Sequence, residues 1–181
     1  GKLIAVRADD GGVLWEATVA QPKGTTEIER IADITSSPVV DGPLVYAAAF
    51  QGRVVAIDRT NGRIMWNRDI SSYTGLSSEN ARVFVSQASG SVYALDYSSG
   101  KTFWKQDDLL NRQLSAPLSL DDKIAVGDVE GYVHILSRED GSFLGRIRLD
   151  DSPVMPQLTE LGSGGLLAQT RDGGLYAISL K

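Results

Sequence analysis

The chain has no cysteine, one histidine and no block of lysines or arginines. The missing cysteine excludes disulfides, thiolate metal ligands and cysteine nucleophiles, while leaving the redox compartment open, because disulfide-free proteins occur in all of them. With His134 as the only histidine, a histidine-based zinc site or a His-centred triad is disfavoured; it reads as a half-buried strand residue. With a net charge of -5 and no basic cluster, a nucleic-acid surface is disfavoured, since phosphate binding relies on grouped cations. The longest apolar runs reach about eight residues, short of the roughly 20 that span a bilayer, and the first residues lack a signal-peptide pattern. No Gly-x-x-x-x-Gly-Lys-Ser/Thr loop is present to cradle phosphates. The pairs Asp9-Asp10, Asp107-Asp108, Asp121-Asp122 and Asp150-Asp151 fall at expected turns, where Asp bonds its own backbone, and lack the acidic alternation of a calcium loop. The reading therefore assigns no catalytic residue, no metal ligand and no cofactor.

What is present is a repeat. Gly1, Gly52, Gly90, Gly131 and Gly173 each open a similar segment. Four positions on stands a small or aliphatic residue (Ala5, Ala56, Ala94, Ile135, Ala177). Ten positions on stands a glycine (Gly11, Gly62, Gly100, Gly141), and fourteen on stand Trp15, Trp66 and Trp104. Between these signatures lie further strand-like runs, such as Ser37–Asp41 with Leu44–Phe50 and Leu114–Leu120 with Lys123–Gly127. Short runs rich in Val, Ile, Leu, Tyr and Phe, separated by Asp-Gly, Asn-Gly and Ser-Gly turns that supply positive φ, are hairpins in series. With periods of 51, 38, 41 and 42 residues and four strands in each, they predict an all-β fold of four-stranded antiparallel propeller blades. The pattern gives two strands at the start, three sets of four and three at the end. The longer first period places an inserted loop at 21–34, where Thr26 to Glu29 has capping-box spacing and Ile28, Ile31 and Ile34 recur every third residue, as in a turn or two of helix. Gly162 to Gly165 reads as a hairpin turn, no linker divides the chain, and residues 1–181 are expected to form one domain.

The recurring residues have a structural reading. Gly11, Gly62, Gly100 and Gly141 permit a left-handed turn between third and fourth strands, and Trp15, Trp66 and Trp104 are expected to lie against the next blade. The fourth repeat departs, with Gly145 in the tryptophan place and Ser137 where Asp58 and Asp96 stand, so that junction should pack differently.

The runs Ala56 to Trp66 and Ala94 to Trp104 resemble the tryptophan-docking motif of quinoprotein-type eight-bladed propellers. Within that family, Thr26-Glu-Ile-Glu-Arg-Ile-Ala-Asp33, Ser37-Pro-Val-Val40, Asp107 to Arg112 and Val126 to His134 are similar to the BamB family, lipoproteins of the outer-membrane β-barrel assembly machine. The resemblance covers the whole chain. It implies the C-terminal half of an eight-bladed propeller, with the signal peptide and lipidated cysteine in an N-terminal half outside this sequence. It implies a non-enzymatic scaffold at the periplasmic face of the outer membrane, touching the membrane only through that lipid anchor. The implied partners are the periplasmic domains of the central subunit, BamA, and unfolded outer-membrane proteins. Glu29, Arg30 and Asp33 match the family's docking loop, on a charged insertion of the kind that carries recognition. Thr35 stands where the family usually has a second Asp, which weakens the expected charge contact. Two alternatives share the fold: a quinone-dependent dehydrogenase, opposed by the missing cysteine pair of those enzymes, and a sensor or adaptor propeller that binds peptides at an open blade edge.

Overall fold

A computed structural model describes residues 1–20, 33–162 and 164–180. Among them, strands follow one another as antiparallel meanders, with no helix. The first sheet has two strands, β1 (Lys2–Val6) and β2 (Val13–Thr18). Three four-stranded sheets follow. The second sheet holds β3 (Val39–Asp41), β4 (Leu44–Ala48), β5 (Val54–Asp58) and β6 (Ile64–Arg68). The third holds β7 (Leu76–Glu79), β8 (Arg82–Ser86), β9 (Val92–Asp96) and β10 (Thr102–Gln106). The fourth holds β11 (Leu118–Leu120), β12 (Lys123–Gly127), β13 (Tyr132–Ser137) and β14 (Phe143–Arg148). The last has three strands, β15 (Thr159–Gly162), β16 (Gly165–Gln169) and β17 (Leu175–Ser179). This is the all-β blade architecture that the hairpin spacing predicts, strand for strand.

The core lies between sheets. The two middle strands of each blade are sandwiched on both faces, so they read as continuous apolar runs: every residue of Leu44–Ala48 is buried, as are Val54 to Ile57. The outer strands are mostly exposed, and in β6 and β10 the one buried position is the tryptophan. Four apolar clusters result, one at each junction. Trp15 and Val19 meet Val55 and Ile57, Tyr46 and Trp66 meet Val83 and Leu95, Phe84 and Trp104 meet Ile124 and Leu136, and Ile135 and Val133 meet Leu166 and Ala168.

Inner strands come out shorter than the sequence runs suggest. β3 starts at Val39 and β11 at Leu118, each immediately after a proline, Pro38 or Pro117. Proline has no N–H for the ladder, so pairing begins beyond it. β4 stops at Ala48 because the Phe50 N–H turns away to the carbonyl of Asp33 at 2.8 Å. Of the 21–34 insertion, Asp33 and Ile34 are described; the helical turn expected over Thr26 to Ile31 lies outside the described residues.

In each complete meander the hairpins joining first to second and third to fourth strands lie at one end of the blade. The turns joining second to third strands, and the connections between blades, lie at the other. Asp33, Thr35 and the loops at Gln51, Tyr73, Arg112 and Asp128 therefore share this second end.

Candidate functional site

The third-to-fourth hairpins form the locks between blades. Gly11, Gly62, Gly100 and Gly141 sit at φ of 73°, 75°, 67° and 75°, in the left-handed region that costs a side-chain-bearing residue energy. Each donates its N–H to the carbonyl four residues earlier, as from Gly100 to Asp96 at 2.9 Å. A register shift accompanies each hairpin, at Ala5/Val6, Ala56/Ile57, Thr102/Trp104 and Ile135/Leu136, a bulge of the kind that re-aims a side chain. The structure seats Trp15 on Gly62, Trp66 on Gly100 and Trp104 on Gly141, so closely that a Cβ on these glycines would lie 2.9, 2.6 and 2.6 Å from the indole. Each indole Nε1 donates to the carbonyl three residues before that glycine: Arg59 at 2.8 Å, Tyr97 at 2.9 Å and Arg138 at 2.9 Å. The Tyr97 carbonyl also accepts from the Tyr46 hydroxyl at 3.0 Å, and burial pushes that phenol well above its ordinary range. Gly11 makes the same turn against empty space, with nothing within 4 Å of an added Cβ; a Cβ on Gly145, within β14, would also meet nothing.

The turn carboxylates brace these hairpins. Asp58 accepts from the Thr60 hydroxyl at 2.6 Å, and Asp96 from Ser99 at 2.6 Å; those hydroxyls chiefly hold both carboxyls below the usual range. In the fourth repeat, where Ser137 replaces the Asp, Asp140 takes over by accepting from Ser142 at 2.8 Å.

Of the recognition residues proposed from sequence, Glu29 and Arg30 lie outside the described residues. Asp33 and Thr35 are described and exposed. Asp33 is pinned by its backbone, in an isolated antiparallel bridge to Phe50, and its Oδ1 accepts the Ile34 N–H at 2.8 Å. It has no ion pair among the described residues. Thr35 donates its hydroxyl to the Tyr73 carbonyl at 2.7 Å, and the Tyr73 ring stands edge-on to Phe50 at 6.2 Å. Thr35 thus ties the start of the second blade to the loop entering the third. The segment presents one free carboxylate on a fixed backbone.

Sequence reasoning missed a buried polar cluster at the same end of the fourth blade. His134, expected half-buried, is 2 % exposed, and Asp128 is 0 % exposed. His134 lies on the strand face covered by the third blade, where Tyr132 and Phe143 flank its ring, and this cover removes it from water. Its Nε2 is 2.8 Å from Asp128 Oδ2, which also accepts Arg112 Nε at 2.6 Å. Asp128 Oδ1 accepts the N–H groups of Glu130 and Tyr132 at 2.9 and 3.0 Å. Burial alone would raise this carboxyl, yet His134, the Tyr132 N–H and Arg112 together hold it below its ordinary value. The spacing Asp128 to His134, across one hairpin, was the available signal. A second carboxylate, Asp150, ties the fourth blade to the last by accepting from Thr170 at 2.7 Å and Tyr176 at 2.9 Å.

The family model described as outer membrane protein assembly factor BamB matches residues 1–106. The outer membrane protein assembly factor BamB of Pseudomonas aeruginosa is 42% identical over 163 residues, covering 90% of this chain and 43% of that protein. The crystal structure of BamB from Moraxella catarrhalis superposes with a TM-score of 0.91 at 30% identity, covering 99% of this chain and 53% of that one. A quinohemoprotein alcohol dehydrogenase from Comamonas testosteroni, 24% identical with a TM-score of 0.61 over 75% of this chain and 22% of its own, shares the fold alone. The chain spans about half the length of the curated relatives it matches. A docking pattern repeated in phase, a family model over more than half of the residues and this near-complete superposition agree: the chain belongs to the outer membrane protein assembly factor BamB family.

Proposed function

We propose that this chain is a non-enzymatic binding platform of the outer-membrane protein assembly machinery. It forms part of one propeller domain at the periplasmic face of the outer membrane and holds the periplasmic domains of the central subunit, BamA, while barrel substrates fold and insert. One observation carries the reading: Asp33 offers a carboxylate without an ion pair among the described residues, on a backbone clamped to Phe50, beside a charged insertion. A fixed, uncompensated charge at the edge of a rigid scaffold is a recognition element, because a partner's cation gains a pair without the cost of ordering the loop. The names of the relatives support placing that partner in outer-membrane assembly.

The test is capture of BamA periplasmic domains by the wild-type chain and by the Arg30→Glu and Asp33→Arg variants. Capture should fall by about tenfold or more for each, the scale of 1.4 kcal/mol per decade, with the strand signature in circular dichroism unchanged. Equal capture by all three proteins removes the segment from the interface.

A further inference from the structure

We propose that the cavity on the perimeter between the third and fourth blades binds a carboxylate carried among apolar side chains on an extended peptide. The cavity measures about 430 Å³ and lies between the loop leaving β10 and the outer half of the fourth sheet. Its walls combine Leu109, Phe143 and Leu144 with Arg112, His134 and Arg146. Three features of these walls specify the ligand.

The first is an uncommitted guanidinium. The fork of Arg112 is occupied by Asp128 and Glu130, at 2.6 and 2.7 Å. Arg146 instead lies over the Tyr132 ring, 5.1 Å from its centroid, and has no ion pair among the described residues. A guanidinium placed over an aromatic ring without an ion pair keeps N–H groups available for pairing with a carboxylate. Asp108, also at the cavity, repels a second negative charge and so favours a single carboxylate over a multiply charged anion. The second feature is an orphan polar atom. His134 has 3 % of its side chain exposed, Asp128 engages its Nε2, and its Nδ1 is buried with no hydrogen-bond partner. Buried polar atoms are nearly always paired; with Nε2–H donating to Asp128, Nδ1 is an acceptor, so a backbone N–H of a bound peptide would complete the set. The matching place in the third blade is a cavity of about 350 Å³ lined by Asn67 to Ile70 and Tyr93, but Tyr93, three residues after its opening glycine as His134 is, leaves no orphan atom there, because its hydroxyl reaches Gln87.

The third feature selects a peptide. β14 is the outermost strand of its sheet, and five of its six residues are exposed, including Phe143 at 41 % and Leu144 at 54 %. Its free edge offers backbone groups for strand addition, beside apolar side chains and the Arg146 guanidinium. This inference uses neither the partner nor the location proposed above.

The experiment is isothermal titration of the protein with two blocked peptides, acetyl-Thr-Val-Phe-Asp-Phe-Val-Thr-amide and the same sequence with Asn for Asp. The Asp peptide should bind at least tenfold more tightly, and Arg146→Gln should abolish that preference. Arg63→Gln, an exposed arginine of another blade, should leave it intact. Arg146 is exposed and makes no ion pair among the described residues, so its variant is expected to fold, and circular dichroism verifies this. The ring ¹⁵N resonance of His134 Nδ1 should shift on addition of the Asp peptide. Equal affinity for the two peptides, or a preference that survives Arg146→Gln, overturns the proposal. So does displacement of the Asp peptide by equimolar inorganic phosphate or 3-phenylpropionate, which would identify a small-anion site instead.

Discussion

Gly11 and Gly100 make the same left-handed hairpin, but an indole covers only Gly100, so the same substitution at both measures the lock between blades. Placing alanine at Gly11, φ 73° with open space where its Cβ would go, costs about 1–2 kcal/mol, the penalty for an L residue in the left-handed region. Gly100→Ala pays the same backbone cost at φ 67°. It also drives a Cβ to within 2.6 and 2.7 Å of two atoms of the Trp66 ring, which must move out of its pocket and lengthen its 2.9 Å bond to Tyr97. Forced overpacking adds about 1–3 kcal/mol, so Gly100→Ala should cost about 2–5 kcal/mol. Trp66→Ala should cost about 3–5 kcal/mol on its own. Once the indole is gone the steric conflict vanishes, and the double variant should then exceed Trp66→Ala by only the backbone cost. Urea denaturation followed by circular dichroism gives all four values, and the cycle isolates the coupling. Equal losses for Gly11→Ala and Gly100→Ala, or strict additivity in the cycle, would refute the lock.

Two further outcomes follow from the buried cluster and from a strained turn. Asp128→Asn removes the charge between His134 and Arg112 and should cost about 3–5 kcal/mol, as breaking a buried pair does. Because the folded carboxyl lies below its ordinary value, its stabilising contribution is present above about pH 3.9, the unfolded value, and is lost as pH falls through the lower folded value. Melting temperature against pH should therefore fall more steeply in acid for wild type than for Asp128→Asn, and parallel curves would contradict this. In the β7–β8 turn Ala81 sits at φ 63° after Asn80 at φ 47°, where glycine is preferred. Ala81→Gly should raise stability by about 0.5–1 kcal/mol, or a few degrees in Tm; a lower Tm would contradict the assignment of strain.

The blade architecture was legible because its signals are local. Turn glycines and apolar runs depend on neighbours within one hairpin, their recurrence gives the period, and Pro38 and Pro117 even contain the reason the inner strands start late. The His134 cluster was not legible, because the burial of one histidine is decided by the blade packed against it, about 40 residues upstream, which single-sequence patterning does not weigh. Its one local clue was an aspartate three residues before an opening glycine, at Asp128, where the other repeats carry Ala49, Gln87 and Thr170. For the recognition segment, the family resemblance implied a charge contact at Asp33, weakened by Thr35 in place of a second Asp. The structure instead commits the Thr35 hydroxyl to the Tyr73 carbonyl, a bond 38 residues away in sequence.

The indole lock is repeated at three junctions and missing at the fourth, where Gly145 stands in the tryptophan place, so the stack is unevenly fastened. Sheets one to four are riveted pairwise and should open together. The final meander is held by its apolar contacts, by Asp150 and Ser152, and by backbone bonds at Pro153 and Met155, with no indole. Cooperativity is therefore weakest at that seam, and transient opening of β15–β17 can occur while the riveted blades keep their shape.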